Sequence, residues 1–249
     1  MSRKRSRISH EAVAPEVPSF KHQPPSRKKH WSIHDLATIK PMTATQQFMF
    51  EEYMNGQHIC AHGHAGTGKS FVGLYLALND ILSPHTETRR IIIIRSVVPT
   101  RDVGHLPGTL AEKAAPYELP YKDMFEMFLG RSSSYDDLKE AGIVEFHTSS
   151  FIRGLTWDNT VVVVDECQNM SWPELDSVIT RLGVNSRLVL CGDGDHQLDL
   201  KRHEHPGLHN ALRLAGEMEE FSIVKFLEDD VVRSEFVKKW IIARTRAGL

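Results

Sequence analysis

Residues 63–70 read Gly63-His64-Ala65-Gly66-Thr67-Gly68-Lys69-Ser70. Glycines free the backbone from conformations that a side chain would block, so successive N–H groups can converge on anionic oxygens. Lys69 offers a point charge suited to β- and γ-phosphates, and the Ser70 hydroxyl is a ligand type for Mg²⁺. This is the full G-x-x-x-x-G-K-[ST] phosphate loop. It predicts a nucleoside triphosphate site in which His64, Ala65 and Thr67 join Gly63, Gly66, Gly68, Lys69 and Ser70. A glycine-rich turn with an exposed lysine is the competing account, and the flanks argue against it. Ile59-Cys60-Ala61 is apolar before the loop, and Phe71, Val72, Leu74, Tyr75, Leu76 and Leu78 follow with helical spacing. Strand, loop and helix are the order that the motif needs, and the dipole of the following helix favours an anion.

Val161-Val162-Val163-Val164-Asp165-Glu166 supplies the other half of such a site. Four β-branched residues make a central strand, and ligands of parallel sheets bind at the carboxyl ends of strands. Asp165 is placed to hold Mg²⁺, through water, beside Ser70. Glu166 is placed to orient and deprotonate an attacking water. The adjacent pair points to an ATPase rather than a small-molecule kinase, which needs no water-activating carboxylate there. Leu188-Val189-Leu190-Cys191-Gly192-Asp193 forms a third such segment, followed by Gln197. Asp193 and Gln197 are candidates for sensing the γ-phosphate, and Gln197 also for bonding the attacking water.

The elements that position these groups alternate along the chain. Helices are predicted at 44–54, after the loop to about 82, over 113–141 with a Ser-rich break at 132–134, from 172 to about 182, and at 206–217 and 234–244. Strands are predicted at 57–62, 91–95, 143–147, 161–165, 187–191 and 222–227. Ser171-Trp172-Pro173-Glu174 has capping-box spacing with an early proline. A long loop at 96–112 holds Pro99, Gly104, Pro107 and Gly108, and loops of that length inside a domain are usually functional. The alternation predicts an α/β fold with a mainly parallel central sheet covered on both faces.

Bulk properties set limits. The 249 residues are 41% hydrophobic and 25% charged, as in an ordinary soluble globular chain. The apolar runs are far shorter than the ~20 residues a membrane helix requires, and the basic, polar first ten residues have no apolar segment behind them, so no signal peptide is expected. Residues 1–30 carry eight basic and two acidic side chains, leaving 22 basic and 30 acidic groups in the remainder. With Pro15, Pro18, Pro24 and Pro25, residues 1–40 are expected to form a disordered basic tail ahead of a domain at 41–249. The tail either adds nonspecific affinity for nucleic acid or only solubilises the chain. Cys60, Cys167 and Cys191 are expected as reduced, buried thiols in a cytosolic setting.

Together these segments resemble the PhoH family, P-loop ATPases of bacteria and phages with a core like that of superfamily-one helicases. The resemblance rests on the phosphate loop, Thr45-Gln46-Gln47, Leu106-Pro107-Gly108 with Lys113 and Pro116-Tyr117, and Phe151-Ile152-Arg153-Gly154. It also rests on Val164-Asp165-Glu166-Cys167-Gln168-Asn169, Thr180-Arg181-Leu182-Gly183, Gly192-Asp193 with Gln197, Asp199 and Leu200, and Asp230-Val231-Val232-Arg233. His64, Ser70 and Ser234 depart from the family's commoner Pro, Thr and His. The resemblance implies a three-layer P-loop NTPase fold of the RecA and helicase kind. It implies ATP binding and hydrolysis with Mg²⁺, association with RNA or single-stranded DNA, and a homo-oligomer, in the extreme a hexamer. The implied setting is the cytoplasm of a bacterial cell or phage-infected host, and no nuclease or RNA-binding domain is expected beyond the core. Gln46 matches the glutamine that reads adenine.

Phosphoryl transfer also needs positive charge at the γ-phosphate. The family match nominates Arg233 and then Arg181, with Arg153 as a third candidate; a structural ion pair is the alternative for each. His203, His205 and His209 are spaced as metal ligands can be, but a solvated turn accounts for them more simply. Trp157, Phe151 and Tyr117 are candidates for stacking on bases, with core packing the preferred role. The leading function is an ATPase acting on nucleic acid. The alternative is an ATP-gated binding or regulatory assembly without helicase activity.

Overall fold

The structure, a computed structural model, describes residues 31–96, 110–149, 152, 156–193 and 207–247, with the backbone alone for 110–114. Gln197, Arg153 and Phe151, the His203–His205 turn, and the greater part of the 96–112 loop lie outside the described residues.

Six strands form one sheet: β1 (His58–Gly63), β2 (Arg90–Arg95), β3 (Val144–Thr148), β4 (Thr160–Asp165), β5 (Arg187–Gly192) and β6 (Phe221–Phe226). Their order is β3-β2-β4-β5-β1-β6, and every pairing is parallel. The pure Ile and Val runs of β2 and β4 explain their central place, since such strands must be buried on both faces. Successive side chains point to opposite faces, and the two halves of the core follow that alternation. On one face Ile59, Ala61, Ile91, Ile93, Val161 and Val163 pack beneath α1 (Ala44–Met54), α2 (Lys69–Leu82), α3 (Leu110–Leu129) and α4 (Ser134–Glu140). On the other, Cys60, Ile92, Ile94, Val162, Val164 and Leu188 pack against α5 (Trp172–Ile179) and α6 (Gly207–Ala215). The molecule is therefore a three-layer α/β fold with a wholly parallel sheet. A last helix, α7 (Glu235–Arg246), contributes no buried residue.

Local chemistry sets the element ends. Ser171 and Glu174 form the expected capping box: the Ser171 backbone N–H donates to the Glu174 carboxylate at 2.9 Å and its hydroxyl at 2.8 Å. α3 continues through Pro116 and Pro120, so the break before α4 falls after Leu129. Packing begins earlier than composition indicates. Trp31 is buried in the core, the Ala37 N–H donates to the Phe128 carbonyl at 2.8 Å, and the Ile39 N–H to the Tyr75 hydroxyl at 3.3 Å. Residues 31–40 thus belong to the packed unit, because one tryptophan buries more apolar surface than the neighbouring charges suggest.

Candidate nucleotide site

Parallel pairing brings the carboxyl ends of the strands to one edge. Gly63 ends β1, Arg95 ends β2, Asp165 ends β4 and Gly192 ends β5, and Arg95 is directly in register with Asp165. Since β5 lies between β1 and β4, its tip at Asp193 falls between the loop and the two carboxylates. A cavity of about 290 Å³ occupies this edge, lined by Lys69, Ser70, Arg95, Asp165, Glu166 and Asp193 among others.

The loop is built as its glycines require. Gly63 has φ +119°, and a Cβ there would lie 2.1 Å from the Phe226 carbonyl oxygen on β6; only glycine fits. Gly68 is left-handed with φ +85° and starts α2. The Thr67 hydroxyl donates to the His64 carbonyl at 2.9 Å. Gln46 is buried and fully engaged: its amide donates to the Thr67 carbonyl at 2.8 Å and accepts from the Met42 N–H at 2.8 Å. It braces the loop. It also borders a second cavity of about 250 Å³, lined by Met42, Phe50, Phe71, Met124 and Val232, which meets the first at Gly66, Gly68 and Arg233.

Lys69 is buried and donates to the carbonyls of Gly63 at 2.8 Å and His64 at 2.7 Å. Burial pushes its pKa down, while Asp193 foremost, with Glu166 and Asp165, opposes the shift. Asp165 is almost wholly buried. One oxygen accepts from the Ser70 hydroxyl in a short hydrogen bond, and the other accepts from the Tyr121 hydroxyl at 2.8 Å. Each oxygen keeps a second lone pair for a further partner.

Glu166 has φ +53° and ψ +39°, a left-handed conformation rare for residues other than Gly, Asn or Asp. The turn swings the chain off β4 and leaves the carboxylate at the cavity wall. It accepts from the Gln168 amide at 2.6 Å and lies 3.8 Å from the Arg95 guanidinium. Burial and then the Asp165 charge raise its pKa, against Gln168, Arg95 and Lys69. Gln168 also accepts from the Asp193 N–H at 2.9 Å, so one amide ties the tips of β4 and β5. The Asp193 Oδ2 atom is buried with no hydrogen-bond partner among the described residues.

Arg233 lines both cavities, and its Cγ lies 3.0 Å from where a Gly66 Cβ would stand. Arg181 is elsewhere. It follows α5, and its carbonyl accepts from Trp157 ahead of β4, at the opposite edge of the sheet. A helix that returns antiparallel to its strand carries its last residue there, so Arg181 cannot reach this cavity from within its own chain. Trp157 is buried in the core as expected, and His209 is exposed on α6. Among the described residues no His, Cys, Asp or Glu cluster has metal-site form, and no helix is long and apolar enough to cross a membrane. The three cysteines are free and buried. A larger cavity, about 620 Å³, opens at the opposite sheet edge around His58, Thr88 and Arg187; it holds none of the phosphate-binding groups.

Three residues of the site were not singled out beforehand. Arg95 ends an all-isoleucine strand, as Asp165 ends an all-valine one, and the same rule about strand ends would have found it. Tyr121 heads a Tyr121, Phe125, Phe128 stripe on α3 that reads as core. Gln168 carried only the family resemblance.

A family model described as PhoH-like protein matches residues 38–244 of this chain. The chain belongs to the PhoH-like family. Curated relatives in it include Protein PhoH of Escherichia coli K12, 35% identical over 211 residues, covering 84% of this chain and 59% of that protein. The PhoH-like protein of Bacillus subtilis is 34% identical over 182 residues, 73% of this chain and 56% of that protein. This chain therefore spans a little over half the length of these PhoH relatives. A solved structure, the Pif1 helicase from Candida albicans, superposes with a TM-score of 0.38 and 15% identity over 80% of this chain and 43% of its own.

Proposed function

We propose that this chain hydrolyses ATP in a Mg²⁺-dependent reaction and couples the cycle to single-stranded nucleic acid. The observation that carries the hydrolytic part is Glu166: a carboxylate with a raised pKa, held at a cavity wall beside a phosphate loop. A base works best with a pKa lifted toward the operating pH. The triphosphate enters the cavity of Lys69 and Ser70, and Lys69 exchanges the Gly63 and His64 carbonyls for phosphate oxygens. The second cavity, lined by the apolar side chains of Met42, Phe50, Phe71 and Met124 next to Gln46, suits a purine base. Ser70 and Asp165 are the oxygen ligands that suit Mg²⁺, and the Asp193 oxygen, without a partner among the described residues, would be a further acceptor; the ion would neutralise charge on the phosphates. Glu166 orients the water and takes its proton, while Arg95 and Gln168 fix the carboxylate. Arg233, beside Gly66, is placed to meet charge on the leaving phosphate.

The test is retention of ATP by the wild type and by Lys69→Ala in the presence of Mg²⁺. Loss of a charge-assisted contact of ~1.5–3 kcal/mol weakens binding about tenfold or more. Equal affinity in the two proteins would remove the loop from the nucleotide site.

A further inference from the structure

Outside the nucleotide site, the largest exposed apolar side chains of the described residues include Phe236 and Trp240, 74% and 65% exposed. Both lie on α7, one helical turn apart, with their rings nearly parallel (27°) and centroids 6.5 Å apart. Ala243 and Ala247 continue the same exposed stripe. The flanks are cationic. The helix carries Lys238, Lys239, Arg244 and Arg246 against one acid, Glu235, in a chain whose residues beyond 30, this helix included, hold 30 acidic and 22 basic groups. Lys239 and Arg246 are exposed on the side of the aromatic pair, and Lys239 pairs with solvent-exposed Glu235 at 3.2 Å. Arg244 lies on the other flank, and its Nε is buried without a hydrogen-bond partner among the described residues.

We propose that this face of α7 is a docking platform for single-stranded nucleic acid, resting on the ATPase function proposed above. Aromatic faces flanked by cations match bases on a phosphate backbone: stacking is worth ~1–3 kcal/mol per base and tolerates any sequence, and the cations displace condensed counterions. A contact between two copies of the chain is the poorer fit: such interfaces also favour aromatics and arginine, but a two-fold contact pairs one patch with itself and would set the cations of α7 against one another. Of the aromatics nominated from the sequence, Trp157 is buried, Tyr117 is half-buried on α3, and Phe151 lies outside the described residues.

The platform is joined to the nucleotide site. The Val232 N–H donates to the Gly66 carbonyl at 3.1 Å, and Arg233 and the Ile241 side chain of α7 pack against Gly66 itself. A load on the outer face of α7 thus acts on the loop through its inner face, and nucleotide and nucleic acid bias one element from opposite sides.

The experiment uses the full chain without nucleotide, with fluorescein-labelled oligo-dT and oligo-U as probes. Trp240 is the one tryptophan of the four that is exposed; Trp31 and Trp157 are buried and Trp172 is partly buried, so the quench is read as the difference between wild type and Trp240→Leu. Both oligomers are expected to quench tryptophan emission in the wild type. Trp240→Leu, which keeps an apolar side chain but not the π face, should weaken binding about tenfold, in line with one stacked base. Trp240→Tyr should restore most of it, Lys239→Glu should weaken it and flatten its salt dependence, and ATPase without oligomer should be unchanged in Trp240→Leu. Preference for one probe tells RNA from DNA. Wild-type affinity in both Trp240→Leu and Lys239→Glu overturns the proposal. So does a Phe236→Ala/Trp240→Ala protein that binds oligomer normally but sediments as a smaller species, which would make α7 a contact between copies. Absence of ATP hydrolysis in the wild type would sink the enzymatic function alone, since the binding arms need no nucleotide.

Discussion

Replacing Tyr121 by Phe removes one oxygen atom and tests whether Asp165 is held as a metal-binding carboxylate. The Tyr121 hydroxyl is fully buried and donates to Asp165 at 2.8 Å. Phenylalanine fits the same space, and the ring keeps its contact with Phe146, 5.8 Å between centroids. What is lost is a hydrogen bond to the buried Asp165 carboxylate, worth ~1.5–3 kcal/mol, together with the hydroxyl's interaction with the Arg95 guanidinium. For a domain of this size that lowers Tm by roughly 2–4 °C per kcal/mol, or about 3–12 °C. The functional loss is separate. With one oxygen released, the carboxylate can turn away from Ser70, and loss of such an orienting partner costs metal affinity ~10–100-fold. The assay is phosphate release at saturating ATP across a Mg²⁺ titration, beside thermal melts, for wild type, Tyr121→Phe, Asp165→Asn and the double variant. The Mg²⁺ midpoint should rise about tenfold in Tyr121→Phe, and the effects of the two substitutions should fall well short of additive. Superimposable Mg²⁺ curves, with stability within ~0.5 kcal/mol of wild type, would refute the assignment of Tyr121 as the residue that orients Asp165.

Other outcomes follow from the same geometry. Gly63→Ala places a Cβ 2.1 Å from the Phe226 carbonyl at a φ of +119°; it should cost about 3 kcal/mol or more by denaturant unfolding and weaken ATP retention. Because Glu166 has a raised pKa, the base is lost on acidification at a pH above the ordinary 4.5, so the acid limb of the rate profile should lie higher than a free glutamate's. Arg95→Ala removes a cation 3.8 Å from that carboxylate and should move the limb higher still. The upward shift also means that the folded state favours the neutral acid: its stabilising effect is present at low pH and is lost as pH rises through the shifted pKa. Glu166→Gln should then melt no lower than wild type at pH 7, as read by calorimetry.

Much of this was legible in the residues. The alternating elements gave a parallel sheet because Ile91-Ile92-Ile93-Ile94 and Val161-Val162-Val163-Val164 cannot be half-exposed, and all pairings are parallel. Ser70 and Asp165 meet at the strand edge because one motif ends β1 and the other ends β4. Three kinds of information were not legible. Composition gave residues 31–40 to the tail, since their burial rests on where Trp31 lands in three dimensions rather than on local pattern. The direction of α5 sets Arg181 at the far edge, a consequence of topology that no motif spacing encodes. Tyr121 was hidden for a third reason: a core stripe and a site residue have the same periodicity until the strand edge is placed.

The central claim is that the carboxylate at the end of β4 activates water against ATP bound at the phosphate loop. The most direct measurement is single-turnover hydrolysis of ATP with Mg²⁺ by wild type and Glu166→Gln, with nucleotide retention measured on the same samples. The account predicts retention within a few-fold of wild type and hydrolysis slowed by ~10²–10⁴. Hydrolysis by Glu166→Gln at the wild-type rate would contradict it.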